Sequence, residues 1–406
     1  MNNIKLILTL LVTIVLIGCQ HSNYQHKNII GVDFESEYPV INLKLSDLAD
    51  ISFIPLGGRD SVNIISDSYS LATGIYLDNN YIIVGDTSPY TPTETKTLAV
   101  VSVFDSTGRF IRNIGHNMHK LPNSGPFFSM AINDRDCTIF ISKHMAESSS
   151  PLYKYNFNGK YLGTDTLPYR NINIYSYGDT LIGYQRSSQI IIKSKLYNQG
   201  KTLIAWNTKT KKCIPCGNIQ YSNPQDHRYD VTGSEYKGSN GVYFTNDRSD
   251  TVYYVNRKLE VKPIFIATKR YNDAINLVSP IMETDEYILL CNNMNLRAIK
   301  ESRFEFHNYI YIKESSKIYR IETGIKSSDE NYSDYLLKNH LRLAYWYNTI
   351  NSNIMICPLT IKYLKSHYDI LPDELKIITN KAHPDDNPVL MVMKFGKELP
   401  YKKGTL

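Results

Sequence analysis

The strongest constraint on the fold is a hairpin pattern that recurs along the chain. The stretch FDSTGRFIRNIG (104–115) reads as a strand end, a glycine turn and a second strand, and YNFNGKYLGTDT (155–166) repeats it 51 residues later. Gly108 and Gly159 occupy the same place, each followed by a cation and an aromatic residue. A fixed period of this length indicates a repeat architecture, in which single units stack to bury a shared core.

Short apolar runs of four to seven residues, separated by Gly, Asn, Asp and Ser, divide most of the chain into units of four strands. Five such units span residues 71–115, 127–165, 171–217, 229–266 and 278–323. Helical periodicity is scarce before residue 325. Four-stranded units in series predict the blades of a β-propeller, because one such sheet cannot bury both of its faces alone.

The last unit supplies only three strands, and its missing strand predicts how the ring closes. Those strands are expected at 341–348, 352–358 and 387–395, with helical spacing over about 359–382 between the second and third. ISFIPL (51–56) precedes the first blade and is unassigned; pairing it with the C-terminal strand would cover an exposed edge. The sequence therefore predicts an all-β, six-bladed β-propeller over 46–406, closed by its N-terminal strand, with a small helical insertion in the last blade.

Residues 1–18 predict a signal peptide rather than part of the fold. LILTLLVTIVLIG (6–18) is apolar for 13 residues, which is short for a membrane span. It leads into LIGC, which resembles the bacterial lipobox and implies that Cys19 receives a diacylglycerol group. Several acyl chains would anchor the chain firmly. The alternative is a signal peptide that merely ends in cysteine.

The residues after Cys19 predict the location of the protein. Gln20 is not the Asp that favours inner-membrane retention, by resemblance to known sorting rules, and QHSNYQHK (20–27) lacks the acidic run of many surface-exported lipoproteins. We expect a lipid anchor in the outer membrane, with the periplasmic face preferred over the cell surface. Residues 19–45 are expected to form a tether, since the stretch 20–27 is polar and lacks apolar periodicity.

Charge and cysteine content narrow the function classes. The formal net charge is +6 over 406 residues, which for this length argues against nucleic acid as the main partner. Six cysteines leave five after lipidation, so at least one has no partner within the chain and disulfides do not build the fold. The fold is instead stabilised by a hydrophobic core, since the chain is long enough to bury one of ordinary size.

Several motifs, in order, resemble the six-bladed β-propeller lipoproteins of Bacteroidetes. They are ISFIPLGG, VFDSTGRFIRNIG, DTVYYV, METDEYILL and DDNPVLMVMKF, which together cover about 46–396. The resemblance implies a propeller and an envelope location, and no settled reaction. The family usually has a Gly-Pro-Gly-Glu-like turn after the first blade. This chain keeps Gly125 and Pro126 but has Phe127 and Phe128 next, so a role tied to that glutamate is not carried over.

The predicted ligand site is the channel mouth formed by loops that join one blade to the next. Four of these loops carry cations or histidines, with tyrosines and one aspartate beside them: His116, His119, Tyr169, Arg170, Asp226, His227, Arg228, Lys269, Arg270 and Tyr271. If they face one mouth, the field there favours an anionic ligand, and the tyrosine rings would stack against sugar or aromatic groups. Ordinary solvated loop charge is the alternative interpretation.

Two shorter motifs carry weaker hypotheses. HNMH (116–119) has two histidines whose spacing would share a face on a helix, but on a loop this says little about a metal. CIPC (213–216) has redox-motif spacing, but no helix N-terminus follows to activate a thiol, so the pair is interpreted as structural, with a local disulfide left open. No hydrolase elbow, phosphate loop or kinase motif occurs in the sequence, and no metal or cofactor is expected.

The sequence favours a non-catalytic binding or scaffold module for an envelope protein, a peptide or a glycan, because rigid blades can carry variable loops. The alternative is a hydrolase or lyase acting on glycans or peptides at the channel, which a cluster of perturbed carboxylates or a bound metal would favour. A third class is a subunit of a larger envelope assembly. A broad apolar patch, for instance on the insertion at 359–382, would favour that class.

Overall fold

The computed structural model describes fourteen stretches of the chain. They are residues 29–33, 36–58, 74–87, 99–115, 128–143, 149–167, 172–185, 203–217, 234–245, 251–267, 276–294, 308–321, 347–348 and 353–399. Within them the chain forms 26 strands and three short α-helices, together with one 3-10 turn.

Four elements precede the first complete blade. They are β1 (Ile30–Val32), β2 (Val40–Ile41), α1 (Leu45–Leu48) and β3 (Ala49–Pro55). Blade 1 then contains β4 (Gly74–Leu77), β5 (Tyr81–Thr87), β6 (Ala99–Asp105) and β7 (Phe110–Ile114). Blade 2 contains β8 (Phe128–Asn133), β9 (Thr138–Lys143), β10 (Ser150–Asn156) and β11 (Tyr161–Leu167).

The next three blades repeat this arrangement. Blade 3 contains β12 (Ile172–Tyr177), β13 (Thr180–Gln185), β14 (Leu203–Asn207) and β15 (Cys213–Gly217). Blade 4 contains β16 (Ser234–Lys237), β17 (Gly241–Thr245), β18 (Thr251–Asn256) and β19 (Val261–Ala267). Blade 5 contains β20 (Asn276–Glu283), β21 (Tyr287–Met294), β22 (Asn308–Ile312) and β23 (Lys317–Ile321).

Blade 6 is completed by the N-terminal strand, which confirms the predicted six-bladed propeller and its closure. Its strand order is β24 (Tyr347–Asn348), β25 (Ile354–Leu359), β26 (Val389–Phe395) and β3. β3 runs antiparallel to β26, from Ala49 opposite Phe395 to Pro55 opposite Val389. This ladder joins distant parts of the chain and covers the edge that β26 would otherwise expose.

The first strand of blade 4 lies later than the sequence analysis placed it. The prediction was 229–233, which lies outside the described residues, whereas β16 is Ser234–Lys237. The segment SEYK has little β-branched content, and its buried anchor is the single Tyr236. Pairing with β17 therefore decides this strand more than its own propensity does.

The second half of the expected tether belongs to the sheets. β1 runs parallel to β19, and β2 runs parallel to β23, so blades 4 and 5 each gain a fifth strand. Val32 and Ile41 are buried in the main core. These strands are only three and two residues long, too short to produce a recognisable apolar alternation. The predicted signal peptide and the residues around Cys19 lie outside the described residues.

The two ends of the ring carry different kinds of connection between strands. Within each blade successive strands are antiparallel, so the first-to-second and third-to-fourth connections lie at one end, which we call the turn face. The short turns that the structure describes in full at this end are residues 78–80, 106–109, 134–137, 157–160, 178–179, 208–212, 238–240, 257–260, 284–286 and 313–316. At the other end lie the strand ends that lead into the second-to-third connections and into the connections between blades, and we call this end the loop face.

The helical insertion lies on the loop face, between β25 and β26, as predicted. It contains α2 (Ile361–Ser366), a 3-10 turn (Tyr368–Ile370) and α3 (Asp373–Lys381). The Thr360 side chain accepts a hydrogen bond from the backbone N–H of Tyr363 and so caps α2. Leu364 and Leu375 are fully buried, which fixes both helices against the core.

The core lies between the blades. Separate buried clusters join blade 1 to blade 2, blade 2 to blade 3, blade 3 to blade 4 and blade 6 to blade 1. The largest cluster spans blades 4 to 6 and includes Phe265, Tyr287 and Tyr309. Each sheet thus buries its faces against its neighbours, which makes the ring rigid and holds the turn face in one arrangement.

Candidate functional site

The predicted channel-mouth residues lie outside the described residues. This holds for all ten side chains named above: His116, His119, Tyr169, Arg170, Asp226, His227, Arg228, Lys269, Arg270 and Tyr271. The strands that flank these four loops end on the loop face, which is where the prediction requires them. Whether the side chains converge stays a prediction.

The described residues contain a different candidate site, at the turn face of blades 3, 4 and 5. The last residues of three equivalent inner strands meet there: Tyr177 ends β12, Lys237 ends β16 and Glu283 ends β20. Because blades repeat the same geometry, residues at equivalent positions come to lie side by side around the ring.

Tyr177 connects blade 3 to the turn of blade 4. Its hydroxyl lies 2.6 Å from the carbonyl oxygen of Gly241, to which it donates, and 3.1 Å from that of Gly238. Its ring holds two cations: the Lys237 Nζ lies 5.2 Å from the ring centroid and the Arg257 guanidinium carbon 5.7 Å from it. Both distances are within the range of cation–π attraction.

Glycines make room for this arrangement. A Cβ on Gly241 would lie 2.2 Å from the carbonyl oxygen of Val255 and 2.5 Å from the Tyr254 ring. A Cβ on Gly238 would lie 2.3 Å from a carboxylate oxygen of Glu283. The turn 238–240 can therefore pack this closely only because its first residue, Gly238, and the residue that follows it, Gly241, lack side chains.

A tyrosine stack forms the wall between blades 4 and 5. The rings of Tyr236 and Tyr243 stack at 5.9 Å, and those of Tyr243 and Tyr254 lie 4.7 Å apart. The Tyr236 hydroxyl accepts a hydrogen bond of 2.8 Å from the backbone N–H of Glu283. These contacts combine aromatic packing with a hydrogen bond between blades, so the wall is well positioned.

Glu283 brings a negative charge to the same wall, and Lys313 partly balances it. The Lys313 Nζ lies 2.9 Å from Glu283 Oε1 and donates a 2.6 Å hydrogen bond to the carbonyl oxygen of Thr284. Burial, followed by the Glu283 charge, raises the pKa of Tyr243 far above its usual range. Burial likewise raises the pKa of Tyr254 to about 12. These phenols stay neutral and act as hydrogen-bonding groups.

Lys237 is the chemically distinctive group of the site. Burial lowers the pKa of its ammonium to about 8, although the carboxylate of Asp134, on the blade 2 turn, opposes that shift. Arg257 adds a smaller effect in the same direction as burial. A lysine with this pKa is still mostly protonated at neutral pH, so it can donate hydrogen bonds to a carboxylate, phosphate or carbonyl oxygen.

The sequence analysis missed this site, although a signal for it exists. Tyr177, Lys237 and Glu283 each occupy the last position of an inner strand, immediately before a short turn. Comparing that position between blades would have grouped them. The prediction instead followed the loops between blades, where binding residues are commonest.

The described part of the chain bears on the hypotheses of a local disulfide and of a metal site. Cys213 and Cys216 both lie in β15, so three residues of extended backbone separate them by roughly 10 Å, whereas disulfide-bonded Cα atoms lie within about 7 Å. The backbone therefore disfavours a disulfide between them. HNMH lies outside the described residues, and within those residues no group of three or more His, Cys, Asp or Glu side chains could hold a metal ion.

Comparison with known proteins finds a solved structure that has the same fold. No protein-family model matches the chain, and no curated protein matches it. A solved protein of Bacteroides fragilis, whose name describes it as exported, matches with a TM-score of 0.59 and 15% identity, over 91% of this chain and 100% of its own. The two chains share a fold. At this identity the likeness shows nothing beyond it.

A second solved structure is more distant. It is a member of the DUF4221 family from Bacteroides vulgatus, with a TM-score of 0.43 and 10% identity over 86% of this chain and 98% of its own. In the part of this chain that the structure describes, no helix has the length and apolar character that a membrane span requires.

Proposed function

We propose that this chain is an outer-membrane lipoprotein, anchored through Cys19, that binds a protein, peptide or glycan without catalysing a reaction. The observation that carries the proposal is the separation of the two ends of the propeller. In the ring closed by β3, the short turns lie at one end, and the helical insertion and the strand ends that flank the connections between blades lie at the other. This arrangement suits recognition, because the loops can vary while the blades stay unchanged.

The envelope location has two supports of different kinds. The lipobox-like LIGC ends an apolar stretch of 13 residues. The similar Bacteroides fragilis protein is named as exported. Radiolabelled palmitate supplied to growing cells is expected to label the protein, and Cys19→Ala is expected to abolish the label. Membrane separation then distinguishes outer from inner membrane, and protease treatment of intact cells distinguishes the periplasmic face from the surface.

The helical insertion gives the loop face an apolar element for a partner. Ile370 and Ile377 are exposed on it, and Ile377 has 58% of its surface in contact with solvent. Exposed side chains of this size are common at sites of protein contact. Two isolated residues do not form a broad patch, so a binding role is favoured over a permanent subunit contact.

The test is crosslinking of the acylated protein in intact envelope, followed by mass spectrometry. A small, recurring set of partners is expected, with crosslinked peptides from the loop face, including 360–388. Replacing Ile370 and Ile377 by Ser is expected to reduce recovery, whereas Val40→Ser, an exposed apolar residue on the rim of blade 5, is the matched control. Crosslinks confined to the turn face would contradict the proposal, and product release from glycan or peptide libraries would replace it with the hydrolase or lyase alternative.

A further inference from the structure

Three neighbouring hairpins account for the net positive charge of the chain. The outer hairpins of blades 2, 3 and 4 are residues 150–167, 203–217 and 251–267. Their cations are Lys154, Lys160, Lys209, Lys211, Lys212, Arg257, Lys258 and Lys262, and their only carboxylates are Asp165 and Glu260. Eight cations against two carboxylates leave +6, which equals the formal net charge of the whole chain. All other residues together are electrically balanced.

Six of the eight cations lie in the turns 157–160, 208–212 and 257–260 at the turn face, and we call this set of turns the basic rim. The inner turns of blades 2 and 3 place Asp134, Asp136 and Asp179 at the same face, where Asp179 pairs with Lys209. Lys211 of blade 3 pairs with Asp165 of blade 2, and Lys154 lies 3.2 Å from the same carboxylate. Blades 2 and 3 therefore meet along this rim. Lys160, Lys212 and Lys258, one from each blade, are exposed.

Exposed apolar side chains lie among these cations. Tyr161 and Leu162 begin the outer strand of blade 2, and Ile214 lies at the start of the outer strand of blade 3. They are 52%, 46% and 45% exposed. They are half of the six large exposed hydrophobic residues in the part of the chain that the structure describes. Cations interleaved with aromatic and aliphatic groups are typical of surfaces that enter the headgroup region of a membrane.

The first strand of the fold is directed away from the same end. β1 runs parallel to β19, with Ile30 opposite Phe265, and β19 runs from the turn face towards the loop face. The N-terminal end of β1 is therefore the end directed towards the turn face of blade 4. Cys19 precedes Ile30 by 11 residues, which can span at most about 40 Å of extended chain.

We propose that the basic rim is a membrane-docking surface, and that the turn face of blades 2 to 4 lies against the anionic phosphate headgroups of the bilayer that holds the anchor. Part of this inference rests on the proposed function, because it takes Cys19 to be lipidated. Charge complementarity and the direction of β1 each support this arrangement. It places the loop face and its insertion away from the membrane, where a partner can reach them.

A lipid surface fits these observations better than an acidic protein. A short tether already holds the rim near the bilayer, so weak contacts there act at high effective concentration. Each basic residue near an anionic leaflet strengthens membrane affinity roughly fivefold. The interaction weakens as salt rises, because exposed charges are screened.

The first test uses the mature chain with Cys19→Ala, which removes the lipid, and so does not depend on the proposed function. It is expected to co-sediment with vesicles that contain phosphatidylglycerol, and not with pure phosphatidylcholine vesicles. Combining Lys160→Gln, Lys212→Gln and Lys258→Gln is expected to weaken this partition roughly 100-fold. The matched control is Lys362→Gln, Lys365→Gln and Lys381→Gln, which removes the same charge from exposed sites on the helical insertion at the loop face. It is expected to cost less than about threefold.

Three results would overturn the proposal. The first is equal binding of the unsubstituted protein to both kinds of vesicle. The second is an equal loss in the two triple variants, which would assign binding to net charge rather than to the rim. The third is binding to soluble polyglutamate with none to vesicles, which would assign the rim to an acidic polymer or protein.

The second test measures orientation in the acylated protein. In a Cys213→Ser background, a fluorophore on Cys137, which is exposed on the turn face of blade 2, is expected to be quenched by headgroup-labelled lipid. A fluorophore at Asp369→Cys on the helical insertion, in a Cys137→Ser/Cys213→Ser background, is expected to be quenched much less. Stronger quenching at the insertion would overturn the orientation. Failure of the palmitate label with intact vesicle docking would instead remove the lipoprotein proposal and leave the rim.

Discussion

Replacing Lys237 by Met is expected to stabilise the protein. In the folded chain the pKa of this lysine falls from its ordinary value of 10.5 to about 8, chiefly because burial strips water from its ammonium group. One pKa unit corresponds to about 1.4 kcal/mol, so keeping the ammonium protonated in its site costs roughly 3 kcal/mol at neutral pH. Met has a similar length and no charge. It loses about 1 kcal/mol of attraction to the Tyr177 ring, which leaves a net gain of about 2 kcal/mol.

The pH dependence follows from the same shift and has a definite sign. The folded pKa lies below the unfolded one, so between about pH 8 and 10.5 the unfolded chain binds more protons. The cost of Lys237 is fully present below pH 8 and disappears as the pH rises towards 10.5. The advantage of Lys237→Met is therefore expected to be largest at pH 7 and to shrink at pH 10.

Guanidinium titration followed by tryptophan fluorescence, at pH 7 and pH 10, measures both quantities. Lys258→Met is the matched control, since Lys258 is exposed and its removal is expected to change stability by less than about 0.5 kcal/mol. A loss of more than 1 kcal/mol on Lys237→Met at pH 7 would refute the reasoning. So would a gain that does not change with pH. A stabilising substitution here would identify a charge kept at a cost to stability, as is common at binding sites.

Two further predictions concern glycines and cysteines. Gly108→Ala is expected to lower the free energy of unfolding by about 3 kcal/mol or more in the same denaturation assay, because the position has φ +87° and the new Cβ would lie 2.2 Å from a carbonyl oxygen of β3. Gly159→Ala is expected to lower it by only about 1 kcal/mol, because that position has φ +80° but no atom nearer than 3.7 Å to the new Cβ. Equal losses would contradict this. In the folded protein Cys137 is expected to react with a maleimide, because its thiol is exposed. Cys291 and Cys357 are expected not to react, because burial raises the pKa of both thiols to about 12 and blocks access to them. Peptide mapping checks this, and labelling of a buried thiol before unfolding would contradict the fold.

The sequence was sufficient to predict the blades because each strand carries its own local signal. Four residues of turn chemistry and a few apolar residues define a hairpin, and the repeat supplies the rest. The closing strand was also predictable, since an incomplete last blade and an unassigned first strand leave one sensible pairing. β1 and β2 were not, because two or three residues with no hairpin partner carry no such signal.

The candidate site was harder to predict because it is assembled between blades. Tyr177, Lys237 and Glu283 are separated by 60 and 46 residues, and nothing within any one of their segments indicates a buried ammonium. The environment of Lys237 depends on how the blade 2 and blade 3 turns approach it, which is a property of the closed ring. A sequence shows which residues share a position in the repeat. The burial and charge around each of those residues differ between blades, and these differences give Lys237 its distinctive chemistry.

Gly108 and Gly159 show this most directly. In the sequence they are the same glycine of the same hairpin, followed by the same kinds of residue. In the structure Gly108 packs against the end of β3, where its carbonyl oxygen accepts a 2.8 Å hydrogen bond from the backbone N–H of Gly57. Gly159 faces only side-chain atoms of blade 1. The repeat therefore predicts a turn at both positions. Only the turn at Gly108 helps to close the ring, because only that turn packs against β3.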